Sequence, residues 1–517
     1  MTRSRTSVPT GVRHVGLSAR ELASAALARR QCSETSDGAL VLLTGKFTGR
    51  SPSDRFIVRD ASTEPHIDWG ARNLALSPNH ALALAEHLRS HLEGRELFEV
   101  RAHASGARGV GVRLITTSPA HALFARHLFQ TERTATDGDP ITVLHGPECL
   151  ANPEEHGTSS GTFVVLSPSE RAIWIGGTGY AGEIKKAVFS LLNYLLPDSG
   201  VLPMHAAVNV GRHGDSAVFF GLSGTGKTSL SADPERFLLG DDEHGWSEEG
   251  LFNLEGGCYA KTIGLRRENE PDIWSAVHQP LVLLENVVAD AAGRVDWDDT
   301  SITENTRAAY PLSALPRVWP RELASSPKNV VFLTADAFGV LPAVARLSID
   351  QAVYYFLSGY TAKLAGTELG SLQPQPTFST CFGSPFMPRP PTLYADMLRQ
   401  RVEQAGARVW LLNTGWIDGP YGEGRRIPIA ETRRMLSAIL RGDLDTAPTR
   451  TDPFFGVQVP AQIPGVSLRT LDPRASWGDG TRYDEQAATL ARRFHENFER
   501  YAASVPSAVV RAGPLRS

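Results

Sequence analysis

The chain has 517 residues, more than one ordinary hydrophobic core accommodates, so two large domains are expected. Charged residues make up 21% and hydrophobic ones 41%, the mix of a globular protein that folds in water. Lysine and arginine total 52 against 56 acidic residues, giving −4 with no basic tract, which argues against nucleic acid as a main partner.

Cys32, Cys149, Cys258 and Cys381 are scattered with no C-x-x-C pair, so a reducing compartment is expected rather than a disulfide framework or thiolate zinc site. The opening MTRSRTSVPTGVRH lacks the apolar core of a secretory signal, and no window has the apolar length of a membrane helix. The composition points to a cytosolic two-domain α/β protein that needs no membrane.

Ser18 with Glu21 three residues on forms a capping box and predicts a first helix. A strand-like run follows at 39–43, then the loop TGKFTGRSPSDRF at 44–56, rich in Gly, Ser and Pro and carrying Arg50. Ser77 as N-cap and Pro78 in the first turn predict a second helix, with Leu84, Leu88 and Leu92 on one face. Short β-type runs are expected at 97–103, 110–116, 141–144, 163–166 and 172–175, with no repeat period.

GGTGYAGEIKKAVFSLLNYLLP, residues 176–197, reads as a glycine turn leading into a helix that Pro197 ends. Ile184, Val188, Leu191 and Leu195 form its apolar stripe, and Lys185 and Lys186 sit in its first turns. The linker-like DSGVLP at 198–203 places the boundary there, dividing the chain into 1–200 and 201–517. Strands are then expected at 205–210, 217–220, 236–239, 330–333 and 409–412. A closing helix spans 484–501 with Leu490, Phe494, Phe498 and Tyr501 on one face.

The strand at 217–220 runs into GLSGTGKT at 221–228, which fits the phosphate-binding pattern G-x-x-x-x-G-K-[ST]. Gly221, Leu222, Ser223, Gly224, Thr225 and Gly226 form the loop, whose glycines let backbone N–H groups face an anion. Lys227 supplies charge for the outer phosphates, and Thr228 a hydroxyl for a divalent cation, followed by Ser229. The chain is expected to bind a nucleoside triphosphate.

FLLGDDEHGW at 237–246 sets Asp241 and Asp242 at the end of a buried strand, where phosphate-loop enzymes place a metal-serving Asp. Neighbouring acids on a strand point to opposite faces, so one can ligate while the other orients water or loop. His205 lies in an apolar strand, where a core role is the commoner reading of a histidine. Lys185 and Lys186 would ordinarily be a solvated helix start; basic groups there oppose the helix dipole, and an anionic ligand would explain them. The guanidinium of Arg50 suits a carboxylate bidentately, or is an ordinary loop arginine.

GRSPSDRF, GGTGYAGEIKK, MHAAVNVG, GLSGTGKTSLS, LLGDDEHGW, FNLEGGCYAKTI, ENTRAAYP, FLTADAFGVLP, SGYTAKLAGTE, NTGW and RRIPIAETR occur in an order that resembles one family. Over nearly the whole chain the sequence resembles the ATP-dependent phosphoenolpyruvate carboxykinases. The resemblance implies an α/β fold of mixed sheets and helices. It also implies an N-terminal substrate domain, a phosphate-loop nucleotide-binding C-terminal domain and an active site in the cleft between them. The implied reaction turns oxaloacetate and ATP into phosphoenolpyruvate, CO2 and ADP, in gluconeogenesis, by a cytoplasmic monomer acting on small molecules.

Residue by residue, the resemblance gives Arg50 a substrate carboxylate and puts Tyr180 in the same pocket. It makes Lys186, His205 and Asp242 ligands of Mn2+, and has Thr228 hold the Mg2+ of ATP. Lys227 and Arg307 would neutralise the transferring phosphoryl, with Lys185 assisting, and Glu270, Arg426, Ile427 and Thr432 would contact the nucleotide. ATP rather than GTP is implied because the phosphate loop lacks the reactive cysteine of GTP-using relatives. Gly179, Ala181, Ala206, Val208 and Ser229 depart from the expected pattern without removing an implied ligand.

Two other functions fit parts of the pattern. A kinase–phosphorylase acting on a carrier protein would need the nucleotide site but not Arg50, Tyr180, Lys186 and His205. A nucleotide-gated regulatory protein would need the phosphate loop alone. Segments 417–424 and 364–376 are candidate lids by composition.

Overall fold

The computed structural model describes residues 9–104, 109–131, 138–222, 224–363 and 375–515. Ser223, the side chains of Thr228 and Ser229, and residues 364–374 of one candidate lid lie outside the described residues.

The described residues form two compact units, one from Met1–Ser199, Phe252–Leu323 and Pro385–Arg389, the other from Gly200–Leu251, Ala324–Ser384 and Pro390–Ser517. The chain first crosses between them inside the 198–203 stretch. A division into 1–200 and 201–517 does not account for residues 252–323, which rejoin the first unit. The reason is strand pairing: Leu283–Glu285 lies parallel to Leu40–Leu42, which in turn pairs with Cys32–Glu34.

The first unit contains an eight-stranded mixed sheet among the described residues. Its order is Arg13–Val15, Leu97–Ala104, Val110–Thr116, Ile141–Gly146, Ala172–Gly176, Phe163–Ser167, Arg55–Val58 and Leu74–Leu76. The helix Pro78–Leu92 covers one face. Ser77 caps it by accepting from the His80 N–H at 3.2 Å. Its Leu84, Leu88 and Leu92 are fully buried in one core with Leu97, Ile115, Leu144 and Trp174. Each such leucine contributes about 1.5–3 kcal/mol by leaving water. A second sheet orders Gly257–Lys261, Arg307–Pro311, Leu283–Glu285, Leu40–Leu42 and Cys32–Glu34. The first helix, Ala19–Ala28, has the Ser18–Glu21 capping box that the sequence predicts.

The helix Gly182–Leu195 follows the glycine turn and is buried along nearly all its length. Lys185 is among its buried residues, so the solvated helix start expected of an ordinary lysine pair does not hold for it.

In the second unit, Leu202–Gly211 pairs with Glu243–Trp246 near its start and with Arg236–Gly240 near its end, with a register shift at Val208/Asn209. Its partner Ser216–Phe220 is antiparallel to it, and Pro327–Thr334 and Arg408–Asn413 continue parallel. The phosphate loop therefore leaves the C-terminal end of a parallel strand, where open α/β sheets bind ligands. The closing helix runs Gly480–Ala502, one turn longer at its start than expected, because Asp479 caps it by accepting from the Thr481 and Arg482 N–H groups. Phe498 stacks on Tyr354 at 4.0 Å, and Phe494 meets Tyr355 and Tyr360. Helices Pro119–Leu128, Ile349–Ser358, Pro391–Ala405 and Ile429–Arg441 are present beyond the elements read from sequence. None of the four cysteines is joined in a disulfide. Among the described residues no helix is long and apolar enough to cross a membrane.

Candidate active site

In the second unit the loop Gly221–Gly226 joins the strand to the helix Lys227–Ser231. Gly224 and Gly226 take φ of +84° and +89°, the left-handed region that glycine enters without a Cβ penalty. Between them Thr225 is buried, and its Oγ1 donates to the Leu222 carbonyl at 2.8 Å, closing the turn.

Lys227, first in the helix, aims Nζ at Asp242 Oδ1, 2.7 Å away, and lies 3.3 Å from His205 Nε2. His205 Nε2 is itself 3.0 Å from that carboxylate oxygen. The opposite ring nitrogen, Nδ1, is 2.8 Å from the Phe382 carbonyl, which can only accept, so Nδ1 carries the proton. In the neutral ring Nε2 then keeps its lone pair, the form that ligates a metal. Two lone-pair atoms 3.0 Å apart match adjacent ligands of an octahedral ion with bonds of about 2.1 Å. The ammonium of Lys227 faces both atoms. Imidazole and carboxylate together fit a divalent ion. Asp241, next in sequence, is buried instead.

Phe382 presents its carbonyl from two consecutive left-handed residues, Cys381 and Phe382, both with φ of 55°. Each costs about 1–2 kcal/mol in a non-glycine residue. The Phe382 ring offsets this by packing against Phe220, Phe332 and Phe356.

Of the expected nucleotide contacts in this unit, Arg426 reaches the loop: its Nη2 donates to the Gly224 carbonyl at 3.2 Å and its Nε to Thr414 at 2.9 Å. Thr414 in turn donates to the Thr225 carbonyl at 3.0 Å. Ile427 belongs to the hydrophobic core, and Thr432 turns Oγ1 to its own helix at Pro428, 3.4 Å away. In the candidate lid at 417–424 the Tyr421 N–H donates to the Ala337 carbonyl, and Asp418 pairs with Arg425 within the same hairpin.

In the first unit, Arg50 and Lys186 share an aromatic ring. The Arg50 guanidinium lies 4.6 Å and the Lys186 ammonium 4.7 Å from the Phe386 centroid. Buried Glu183 accepts from the Ser51 N–H at 2.7 Å, binding the Arg50 loop to the helix start. Burial pushes its carboxyl above the ordinary range.

Tyr180 is buried, its ring 6.2 Å from that of Tyr259. A Cβ at position 179 would stand 3.1 Å from the Thr44 carbonyl, which explains the glycine beside Tyr180. Arg307 lies 5.5 Å over the Tyr259 ring and donates from Nε to Asn305 at 3.0 Å. Asn305 donates to the Thr48 carbonyl at 2.7 Å. Lys185 Nζ is 2.7 Å from Glu255, with both side chains 1% exposed. Glu270 occupies the position before helix Pro271–Val277. Arg50, Tyr180, Lys185, Lys186 and Arg307 are thus grouped around two aromatic rings, Tyr259 and Phe386.

The family model for phosphoenolpyruvate carboxykinase matches residues 12–469. Phosphoenolpyruvate carboxykinase (ATP) of Rhizobium rhizogenes is 50% identical over 494 residues, covering 95% of this chain and 92% of that protein. The protein of the same name from Thermus thermophilus is 50% identical over 487 residues, 92% of each chain. That of Geobacillus thermodenitrificans is 47% identical over 509 residues, 97% of this chain and 96% of its own. The chain belongs to the phosphoenolpyruvate carboxykinase family.

Within this carboxykinase, sequence reasoning missed Phe382, Phe386, Glu183, Tyr259, Asn305 and Glu285. Phe382 and Phe386 sit in CFGSPFMP, a stretch with no functional signature. Asn305 falls inside ENTR, where Arg307 drew the role, and Tyr259 inside EGGCYAKTI, a motif from which no residue was given a role. Glu285 carried a usable signal, a lone acid in the apolar run LVLLENVV.

Proposed function

We propose that the protein decarboxylates and phosphorylates oxaloacetate with ATP, giving phosphoenolpyruvate, CO2 and ADP in the gluconeogenic direction, as a cytoplasmic monomer. Family membership supports the reaction. The observation that carries the site is the convergence of His205 Nε2 and Asp242 Oδ1 on the phosphate-loop lysine.

Arg50 clamps a carboxylate of the organic acid, and Tyr180 lines its pocket. The bond from C3 to the departing carboxylate breaks, its electron pair forms the enolate, and CO2 leaves. The enolate oxygen attacks the γ-phosphorus in line while the bond to ADP breaks. Lys227 and Arg307 neutralise the equatorial oxygens, with Lys185 holding the helix start behind the substrate side. Lys186, His205 and Asp242 would hold a Mn2+ ion, and Thr228 would hold the Mg2+ of the nucleotide; such ions would supply positive charge for the enolate and the phosphates. Asp241 orients the loop behind Asp242. Residues 221–229, Glu270, Arg426, Ile427 and Thr432 hold the nucleotide. The pocket must exclude water, because a proton on C3 of the enolate would yield pyruvate.

The test is purified protein with oxaloacetate, ATP, Mg2+ and Mn2+, scored for phosphoenolpyruvate and released CO2. Both products, dependent on both substrates, are expected. ADP release that ignores oxaloacetate would leave only a nucleotide-binding or carrier-directed phosphotransferase reading.

A further inference from the structure

Glu285 belongs to none of the roles above, yet it sits at the junction of the substrate-side groups. It is fully buried at the end of strand Leu283–Glu285. Its two carboxylate oxygens are used separately. Oε1 accepts from the Ala181 N–H at 3.0 Å, immediately after Tyr180 and just before the helix that carries Lys185 and Lys186. Oε2 accepts from the hydroxyl of Tyr259. That ring lies beneath the Arg307 guanidinium and beside Tyr180. In the sheet, Glu285 is also the direct cross-strand partner of Arg307, which places the two side chains on the same face.

We infer that Glu285 is a positioning residue for the reaction: one carboxylate fixes the Tyr180–Lys186 turn and the Tyr259 platform of Arg307 relative to each other. This rests on the proposed carboxykinase chemistry. A buried carboxylate is a poor choice for stability alone, since desolvation penalises its charge. Burial pushes this carboxyl up to about 7. The charged or titratable groups facing it are Tyr259, Arg307 and Cys32, with Lys185 6.0 Å from the Tyr259 ring. A geometric role explains what a packing role does not, namely the splitting of its two oxygens between the substrate turn and the arginine platform.

The experiment compares Glu285→Gln and Tyr259→Phe with the wild type, all as full-length protein. Glutamine has one acceptor oxygen where glutamate has two; phenylalanine keeps the platform ring but loses the donor to Oε2. For each variant, kcat/KM for oxaloacetate is measured beside the Kd for ATP, read by direct binding. Loss of a positioning contact around reacting groups typically costs about 10–100-fold. A fall of about that size in kcat/KM for oxaloacetate, with ATP binding within about twofold of wild type, is expected for both variants. Tyr259→Phe keeps the question answerable should Glu285→Gln fail to fold. Wild-type kcat/KM in the variants, or a parallel loss of ATP affinity, would overturn the inference. Absence of phosphoenolpyruvate from the wild-type enzyme would instead overturn the carboxykinase reading on which it rests.

Discussion

His205 and Asp242 bring Nε2 and Oδ1 to one point. Nε2 and Oδ1 lie 3.0 Å apart, and the Lys227 ammonium faces both, at 3.3 and 2.7 Å. The histidine's Nδ1 meets the Phe382 carbonyl at 2.8 Å, so its tautomer is set by backbone geometry.

His205→Ala therefore removes one lone pair without touching the glycine loop. Affinity for Mn2+, measured from the free-ion signal in electron paramagnetic resonance, is expected to fall by 10-fold or more, roughly the scale of losses around metal sites. ATP binding should change far less. Equal losses in both would show that His205 supports the nucleotide loop rather than a metal ion.

The phosphate loop makes different demands of its glycines. A Cβ at Gly221 would meet Thr225 Oγ1 at 2.5 Å and Leu333 Cβ at 3.0 Å, contacts that force the loop apart. At Gly224 nothing lies within 4 Å, and only its φ of +84° opposes a side chain, at about 1–2 kcal/mol. Gly221→Ala is expected to weaken ATP binding severely and Gly224→Ala more mildly, as isothermal titration calorimetry would read. The reverse order would mean that space around Gly221 is not what shapes the loop.

Burial of Glu285 has a pH signature. Its carboxyl is raised from an ordinary 4.5 to about 7, desolvation outweighing the bonds from Tyr259 and Ala181 and the charge of Arg307. Below the lower value the group is protonated in both folded and unfolded chains. Between the two, folding takes up a proton, so stability declines as pH rises, and above about 7 the deficit is complete. Glu285→Gln lacks this titration. The difference in Tm, variant minus wild type, should become more positive from about pH 5 to pH 8. A difference independent of pH would place the titration elsewhere.

How much of this was legible in the sequence depended on how local each cause is. Capping of Ala19–Ala28 by Ser18 and Glu21 involves residues three apart, and the Leu84, Leu88 and Leu92 face follows from helical spacing alone. Helix Pro119–Leu128 carries the same Ser-Pro start as Pro78–Leu92, with Ser118 accepting from the His121 N–H, and was there to be read. The return of residues 252–323 to the first unit was not, because it depends on Leu283–Glu285 pairing with a strand more than 240 positions earlier. The phosphate loop and Asp242 announce themselves because their chemistry is packed into short motifs. Phe386 and Phe382 do not: one acts as a shared ring for two cations and the other through a carbonyl, and any sequence supplies rings and carbonyls.

Lys185 and Glu255 supply the last test, because their charges are 2.7 Å apart with both side chains 1% exposed. A pair so buried gains strongly from mutual attraction but loses hydration at both ends, so its net worth against an apolar pair is small. Removing one member is different, since the other keeps its desolvation penalty with its nearest opposite charge gone. Lys185→Met or Glu255→Leu alone should destabilise the protein by about 3–5 kcal/mol in denaturant unfolding. The double replacement should recover a substantial part of that loss, a coupling that the double-mutant cycle measures directly. Near-additive losses in the cycle would mean that each charge is compensated mainly by other neighbours, and that the ion pair does not hold the Lys185 side of the helix in place.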